Sequence, residues 1–257
     1  MFQRDIESTA QLAKQKYTLL QKNPLGYWML AMLAGIFIGI AIAFVYTVGS
    51  ALDAVNSPYT RLMIGACFSV GLSLVVMAGA ELFTGNNMVM AIGVVQRSVS
   101  LLQTLWLWLF CWLGNFFGSV LFSLLFHWSG LNQDAVASFI AKTCQTKMTL
   151  PLGMLFCRSV LCNFLVCLAV WCTIRMKSEC GKLIMIFWCL FAFSTIGLEH
   201  SIANMSLFTL GMLNPSGYAL SWSGYFYNIL VCTFGNMVGG LVLTALPYLI
   251  ISRPHSS

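Results

Sequence analysis

The sequence predicts an all-α membrane protein of six transmembrane helices, arranged as an inverted 3+3 repeat with broken second and fifth helices. Three observations lead there. First, charge is missing over long stretches. None occurs from Asn23 through Leu52, Leu62 through Ala80, Ser98 through Gln133, Ser159 through Ile174, Leu183 through Leu198 or Ser201 through Ser252. A membrane-spanning helix needs about 20 such residues. Second, the only two glutamates inside these apolar regions share one pattern, Gly-x-Glu-x4-Asn, at Gly79 to Asn86 and at Gly197 to Asn204. A carboxylate in an apolar span is costly, so two at matching places mark two related halves. Third, each half carries three spans. An odd number forces the second half to enter the bilayer from the opposite side, and the repeat is therefore inverted.

The elements follow in order. Residues 4–22 are polar, mixed in charge and read as a surface helix; the segment 1–26 is expected on the cytoplasmic face. The first repeat covers 27–127. Its first span is Tyr27 to Val48. Its second starts near Leu62, breaks at Glu81 to Asn87 and resumes as a short helix to about Val95. Its third is Leu101 to His127. Ala135 to Lys147 reads as a second amphipathic helix, opening the second repeat at 134–251. There the fourth span is Leu150 to Thr173. The fifth starts near Leu183, breaks at Glu199 to Asn204 and resumes to about Leu213. The sixth is Tyr225 to Ile251. All of 1–257 is expected to form one transmembrane domain.

Each break has a local reason. Gly85 can take backbone angles that other residues resist, and Asn86 and Asn204 can bond nearby backbone groups in competition with a helix. Backbone groups freed at membrane depth are tolerated only inside protein or beside a watery cavity. The carboxylates of Glu81 and Glu199 are expected to accept those freed N–H groups and so hold the loops in place. The resuming half-helices present N-termini, which favour anions. The two breaks should face each other across a small pore.

The repeat extends further. Gly114-Asn115-x-x-Gly118 in span three matches Gly235-Asn236-x-x-Gly239 in span six, and Gly118 and Gly239 suit close helix packing. A shorter match is Pro24-Leu25-Gly26 with Pro151-Leu152-Gly153. Orientation follows from Lys and Arg. One side receives Arg4, Lys14, Lys16, Lys22, Arg97, Arg175, Lys177, Lys182 and Arg253. The other receives Arg61, Lys142 and Lys147. Both termini are therefore expected in the cytoplasm.

Composition excludes several classes. Only 8% of residues are charged, against about 25% in a soluble domain. The net charge of +6 comes without a basic stripe interleaved with aromatics, so no nucleic-acid partner is expected. The N-terminus lacks the short apolar core and cleavage site of a signal peptide. Ten cysteines lie almost wholly in apolar spans; Cys157, Cys162, Cys167 and Cys172 recur every five residues, share no helix face and suit neither a metal nor a disulfide framework. No metal or cofactor is expected. There is no His-Glu-x-x-His, no Gly-x-Ser-x-Gly and no intramembrane histidine pair fit for haem, which argues against a membrane enzyme or redox anchor. A neutral-solute channel of the aquaporin kind would carry paired Asn-Pro-Ala breaks; Asn214-Pro215-Ser216 is single and sits in a loop.

With those residues in hand, the chain resembles the formate/nitrite transporter family over nearly its whole length. The resemblance rests on the segments running Ala78 to Asn86, Cys162 to Trp171 and Gly197 to Met205. The short tails, Asn23 to Trp28 and Phe187 to Leu190 narrow it to the nitrite channels. It implies an aquaporin-like protomer in a homopentamer of the bacterial inner membrane, with one pore per protomer. It also implies passage of a small weak-acid anion (nitrite first, then formate or hydrosulfide), together with protons. The family's pore histidine, its threonine partner and its vestibule lysine fall on His200, Thr84 and Lys147. Apolar constrictions fall on Phe68, Leu72, Leu82, Val166 and Phe193, and a pore-lining asparagine on Asn163.

The residues themselves bear on these roles. His200 is the only histidine deep in a span at a break, and imidazole can carry or release a proton near neutral pH. Lys147 would concentrate anions by electrostatic focusing. Phe68, Leu72, Leu82 and Phe193 would be plain core residues without the resemblance. Arg158 lies roughly 12 Å into span four at the helical rise. Its expected surroundings are either the outer vestibule or a subunit contact.

Overall fold

A computed structural model describes residues 2–252. Those residues are helical throughout apart from short connections. In chain order the helices are α1 (Gln3–Lys22), α2 (Pro24–Asp53), α3 (Thr60–Met77), α4 (Phe83–Val95), α5 (Leu101–Trp128) and α6 (Asp134–Met148). They continue with α7 (Leu152–Arg175), α8 (Glu179–Ile196), α9 (Ser201–Leu213), α10 (Trp222–Val238) and α11 (Leu246–Ser252). α10 and α11 are joined by a wide π-helical stretch, Gly239–Ala245, so the last three form one continuous rod. Among the described residues six helices or rods are long and apolar enough to cross a membrane, and α4 and α9 are the short apolar ones. Arg253, used above in counting charges, lies outside the described residues.

Local signals start the helices where the chain needs them. Asn23 caps α2, its side chain accepting from Gly26 N–H, and Pro24 takes the first position, where a missing N–H costs nothing. Ser100 and Gln103 form a reciprocal capping box at α5. Ser178 and Ser221 cap α8 and α10 with their hydroxyls, each accepting the N–H of a glycine three residues on. The packing is then set by small residues. A side-chain carbon on Gly118 would meet the Met32 carbonyl, and one on Gly239 would meet the Val160 carbonyl. α5 thus lies against α2, and the start of the π-helical stretch against α7, at a distance only glycine allows.

The two breaks lie earlier in the chain than the residue pattern suggests. α3 ends at Met77 and α4 begins at Phe83; α8 ends at Ile196 and α9 begins at Ser201. The turn residues are Gly79, with φ 79°, and Gly197, with φ 87°. Gly85, Asn86 and Asn204, expected to interrupt the helix, belong to the half-helices instead. The physical reason is that a left-handed turn costs least at a residue without a Cβ, and the glycine two places before each glutamate supplies it.

Matching contacts fix the register of the repeat. Glu81 N–H reaches the Leu30 carbonyl and Glu199 N–H reaches the Arg158 carbonyl. Gly118 meets Met32 where Gly239 meets Val160. The Pro24 and Pro151 motifs are therefore one residue out of register with the true correspondence. The equivalence reaches beyond the spans. α1 packs on α4, and α6 packs on α9, so each half also owns one surface helix. α4 and α9 are buried on all sides over their first two turns, Phe83–Met90 and Ser201–Phe208, as expected for helices enclosed by protein.

Candidate functional site

Breaking a helix frees amides and carbonyls that the interior must satisfy. Asn115 on α5 does this for the first break. Its Oδ1 accepts Phe83 N–H (2.9 Å), and its Nδ2 donates to the Ala31 and Glu81 carbonyls (2.8 and 2.9 Å). Asn236 on α10 does it for the second, accepting Ser201 N–H (2.9 Å) and donating to the Ser159 and Glu199 carbonyls (2.8 and 3.0 Å). Even the thiols match: Cys111 and Cys232 each point at a glutamate carbonyl from 3.2 Å. The carboxylates do not take the freed amides, contrary to expectation. The amides face neutral asparagines from a neighbouring helix, while the buried charges find cations.

Glu81 is paired with Lys16 of α1 at 2.6 Å, and Glu199 with Lys147 of α6 at 2.8 Å. Each pair is shielded: the side chains of Lys16 and Glu81 are 15% and 11% exposed, those of Lys147 and Glu199 20% and 2%. Glu81 also accepts from Tyr27 Oη (3.1 Å) and Asn86 Nδ2 (2.9 Å). Glu199 accepts from Asn204 Nδ2 (2.7 Å), and that amide group also bonds Asn228 Oδ1 (2.8 Å). Asn204 Oδ1 in turn receives Lys147 Nζ (3.3 Å). Lys147 thus spends its charge on a buried carboxylate.

At the centre the two half-helices meet. Thr84 Oγ1 lies 3.0 Å from His200 Nε2. His200 also caps α9, its Nδ1 accepting Ala203 N–H at 3.1 Å. Because Nδ1 acts as acceptor, the bonding pattern assigns the ring proton to Nε2, facing Thr84. Leu82 occupies the equivalent capping place at α4 and offers no side-chain bond.

Two cavities approach this contact from opposite sides and share no lining residue. The larger, about 600 Å³, is bordered by Phe68, Phe193, His200, Lys147, Arg158 and Arg61, among others. The smaller, about 350 Å³, is bordered by Leu72, Leu82, Glu81, Asn86 and Lys16, among others. The Phe68 and Phe193 rings meet edge to face at 5.1 Å, and each lies within 6.5 Å of the imidazole. Leu72 and Leu82 are buried at the floor of the smaller cavity. Val166 and Asn163 line neither one. Val166 is buried on α7; Asn163 Nδ2 sits within 3.2 Å of the Thr84 carbonyl, Asn87 Oδ1 and the Asn236 carbonyl. Arg158 proves to border the larger cavity.

Sequence reasoning missed Lys16 and left Asn115 and Asn236 without a role. The order of features held a signal for Lys16: in each half a surface helix with a lysine precedes the glutamate break. Tyr27 and Asn228 carried no signal, since their partners are fixed only by packing.

Comparison with known proteins follows from this geometry. The sequence profile described as "Formate/nitrite transporter" matches residues 3–250. The chain is 39% identical over 249 residues to a protein named nitrite transporter NirC from Salmonella typhimurium, covering 96% of this chain and 91% of that one. Among solved structures, a chain described as an FNT family ion channel superposes with a TM-score of 0.92 at 37% identity, covering 97% of this chain and 99% of that chain. One described as a pentameric formate channel with formate bound gives 0.78 at 28% identity, covering 90% of this chain and 98% of that chain.

Proposed function

The chain belongs to the formate/nitrite transporter family, and from that premise we propose that it passes a small weak-acid anion, nitrite first and formate second, through the contact of Thr84 with His200. The observation that carries this reading is the 3.0 Å bond between those two side chains, set between two cavities and ringed by apolar residues. A hydrated anion fills either cavity readily. It is stopped by Phe68 and Phe193 on one side and Leu72 and Leu82 on the other, because stripping water from a charge without replacing its bonds is expensive. Thr84 and His200 replace them. The Nε2–H and the threonine hydroxyl are both donors that an arriving anion can take up. The half-helix N-termini of α4 and α9 add their positive ends.

Donation from a neutral ring suits anion passage better than outright proton transfer to the anion. Surrendering the Nε2 proton with Nδ1 bare would leave an imidazolate. Protonating Nδ1 first would cost the cap on Ala203. The proton for a neutral-acid crossing comes instead from water in the cavities: hydronium there gives its proton to the anion, and the acid so formed accepts from Nε2–H and the threonine hydroxyl as it passes. In this reading Lys147 and Lys16 neutralise Glu199 and Glu81, Asn204 and Asn86 brace those carboxylates, and Asn163 holds the α4 start through the Thr84 carbonyl. Val166 packs behind the conduit. The α1 side faces the cytoplasm, following the lysine and arginine count, and the larger cavity opens outward. The likeness to a chain described as a pentameric channel, together with apolar side chains exposed along the spans, supports a homopentamer in the inner membrane with no catalytic step.

The test is nitrite flux into proteoliposomes carrying His200→Asn, measured at several pH values. Flux is expected to fall about tenfold or more, the scale of losing one charge-assisted bond, with a changed pH profile. Unaltered flux and pH profile would remove the histidine from the mechanism.

A further inference from the structure

We propose that Arg158 is an anion-docking residue of the larger cavity, with a guanidinium fork that selects planar two-oxygen anions. This rests on the reading that small anions cross here. Four cations border the cavity, Arg61, Lys142, Lys147 and Arg158, together with two carboxylates, Asp53 and Glu199. Lys142 pairs with Asp53 at 3.3 Å, and Lys147 with Glu199 at 2.8 Å. Both lysines are thereby balanced. Among the described residues no carboxylate pairs with Arg61 or Arg158, and no protein acceptor bonds their guanidiniums. The cavity's surplus charge therefore rests on the two arginines.

They are not equal. Arg61 is exposed at the first turn of α3. Arg158 is half-buried on α7, and its own carbonyl takes the Glu199 N–H at 3.4 Å, next in sequence to His200. A cation held at that depth needs a counter-charge or water, and the protein supplies no anion. The inverted repeat gives an internal control. The residue equivalent to Arg158 is Leu30, whose carbonyl takes the Glu81 N–H at 3.1 Å and which borders the smaller cavity. Among the described residues the only charges lining that cavity are Lys16 and Glu81, which are paired. The same backbone position thus carries a free cation at one mouth and an aliphatic chain at the other.

Arginine rather than lysine makes this a shape filter as well as a charge. Its planar fork matches two oxygens of one anion side by side, where an ammonium acts as a point charge. Nitrite and formate fit the fork; hydrosulfide, with one heavy atom, does not.

The experiment measures half-saturation concentrations for nitrite, formate and hydrosulfide in proteoliposomes at fixed ionic strength, with wild type, Arg158→Gln, Arg158→Lys and Arg61→Gln. Arg158→Gln is expected to raise half-saturation for nitrite and formate about tenfold, as for loss of one charge-assisted contact, with maximal flux little changed. Arg158→Lys keeps the charge and loses the fork, so it should leave hydrosulfide half-saturation near wild type while weakening nitrite and formate, and it decides the matter alone should the glutamine variant fail to assemble. Arg61→Gln should shift all three anions by about twofold or less, through a screened field. Unchanged nitrite half-saturation in Arg158→Gln, wild-type nitrite and formate values in Arg158→Lys, or equal effects from both arginines would overturn the assignment. If wild type carries nitrite and formate while Arg158 proves silent, docking fails and the conduit reading stands. If wild type carries none of the three, both fall.

Discussion

At the first break Asn115 holds Phe83, Ala31 and Glu81; at the second Asn236 holds Ser201, Ser159 and Glu199, bond for bond within 0.1 Å. Glycine turns and lysine partners match as well. Two of the side chains that border the cavities or their contact do not match. Leu82 stands where the second half has His200, and Leu30 where it has Arg158. The difference teaches that the interrupted backbone imposes one solution wherever it occurs, since every freed amide and carbonyl must be bonded. The groups lining the conduit are under no such demand, and chemistry could diverge there without disturbing the fold.

The largest expected effect tests the shared half of that comparison. Asn115→Leu and Asn236→Leu each strand one buried amide, Phe83 N–H or Ser201 N–H, and take a donor from two carbonyls, at about 1–3 kcal/mol for the amide and about 1 kcal/mol for each lost bond. Both variants should lose about 3 kcal/mol or more and melt far below wild type in detergent. A large loss in one and none in the other would break the equivalence.

Removing the lysines should separate the halves. Lys147→Met leaves Glu199 with Asn204 as its remaining side-chain donor, and stranding a buried carboxylate costs about 3 kcal/mol. Lys16→Met leaves Glu81 with Tyr27 and Asn86 both donating, so its cost should be about half that. Thermal melting of the two variants gives the order directly; the reverse order would show that the tyrosine does not compensate.

The smallest effect sharpens the symmetry. Gly79 and Gly197 have positive φ and open space where a side chain would begin. Alanine at either should cost only the backbone strain, about 1 kcal/mol, and equally in both. An unequal cost would point to a clash at one break.

Much of this architecture was legible in the chain because hydropathy is a local property. Each uncharged stretch names its own span, and the twice-used glutamate pattern names the halves and their interruptions without reference to any neighbour. The break limits were misplaced by a few residues because asparagine and glycine were both read as helix breakers, when the turn needed only the glycine. The site was legible in its residue types and not in its bonds. Lys16 and Glu81 are 65 positions apart, and Thr84 and His200 are 116 apart. Nothing local says which buried polar group meets which.

The sequence by itself determined that six apolar rods form two opposed halves with a costly polar residue in each, because transfer into lipid depends on each segment's own composition. The tertiary structure alone decided that Asn115 and Asn236 satisfy the breaks, that both lysines are spent on carboxylates, and that Arg158 opens into a cavity while Leu30 takes its place opposite. Those outcomes depend on which faces pack together, and packing is a property of the whole molecule.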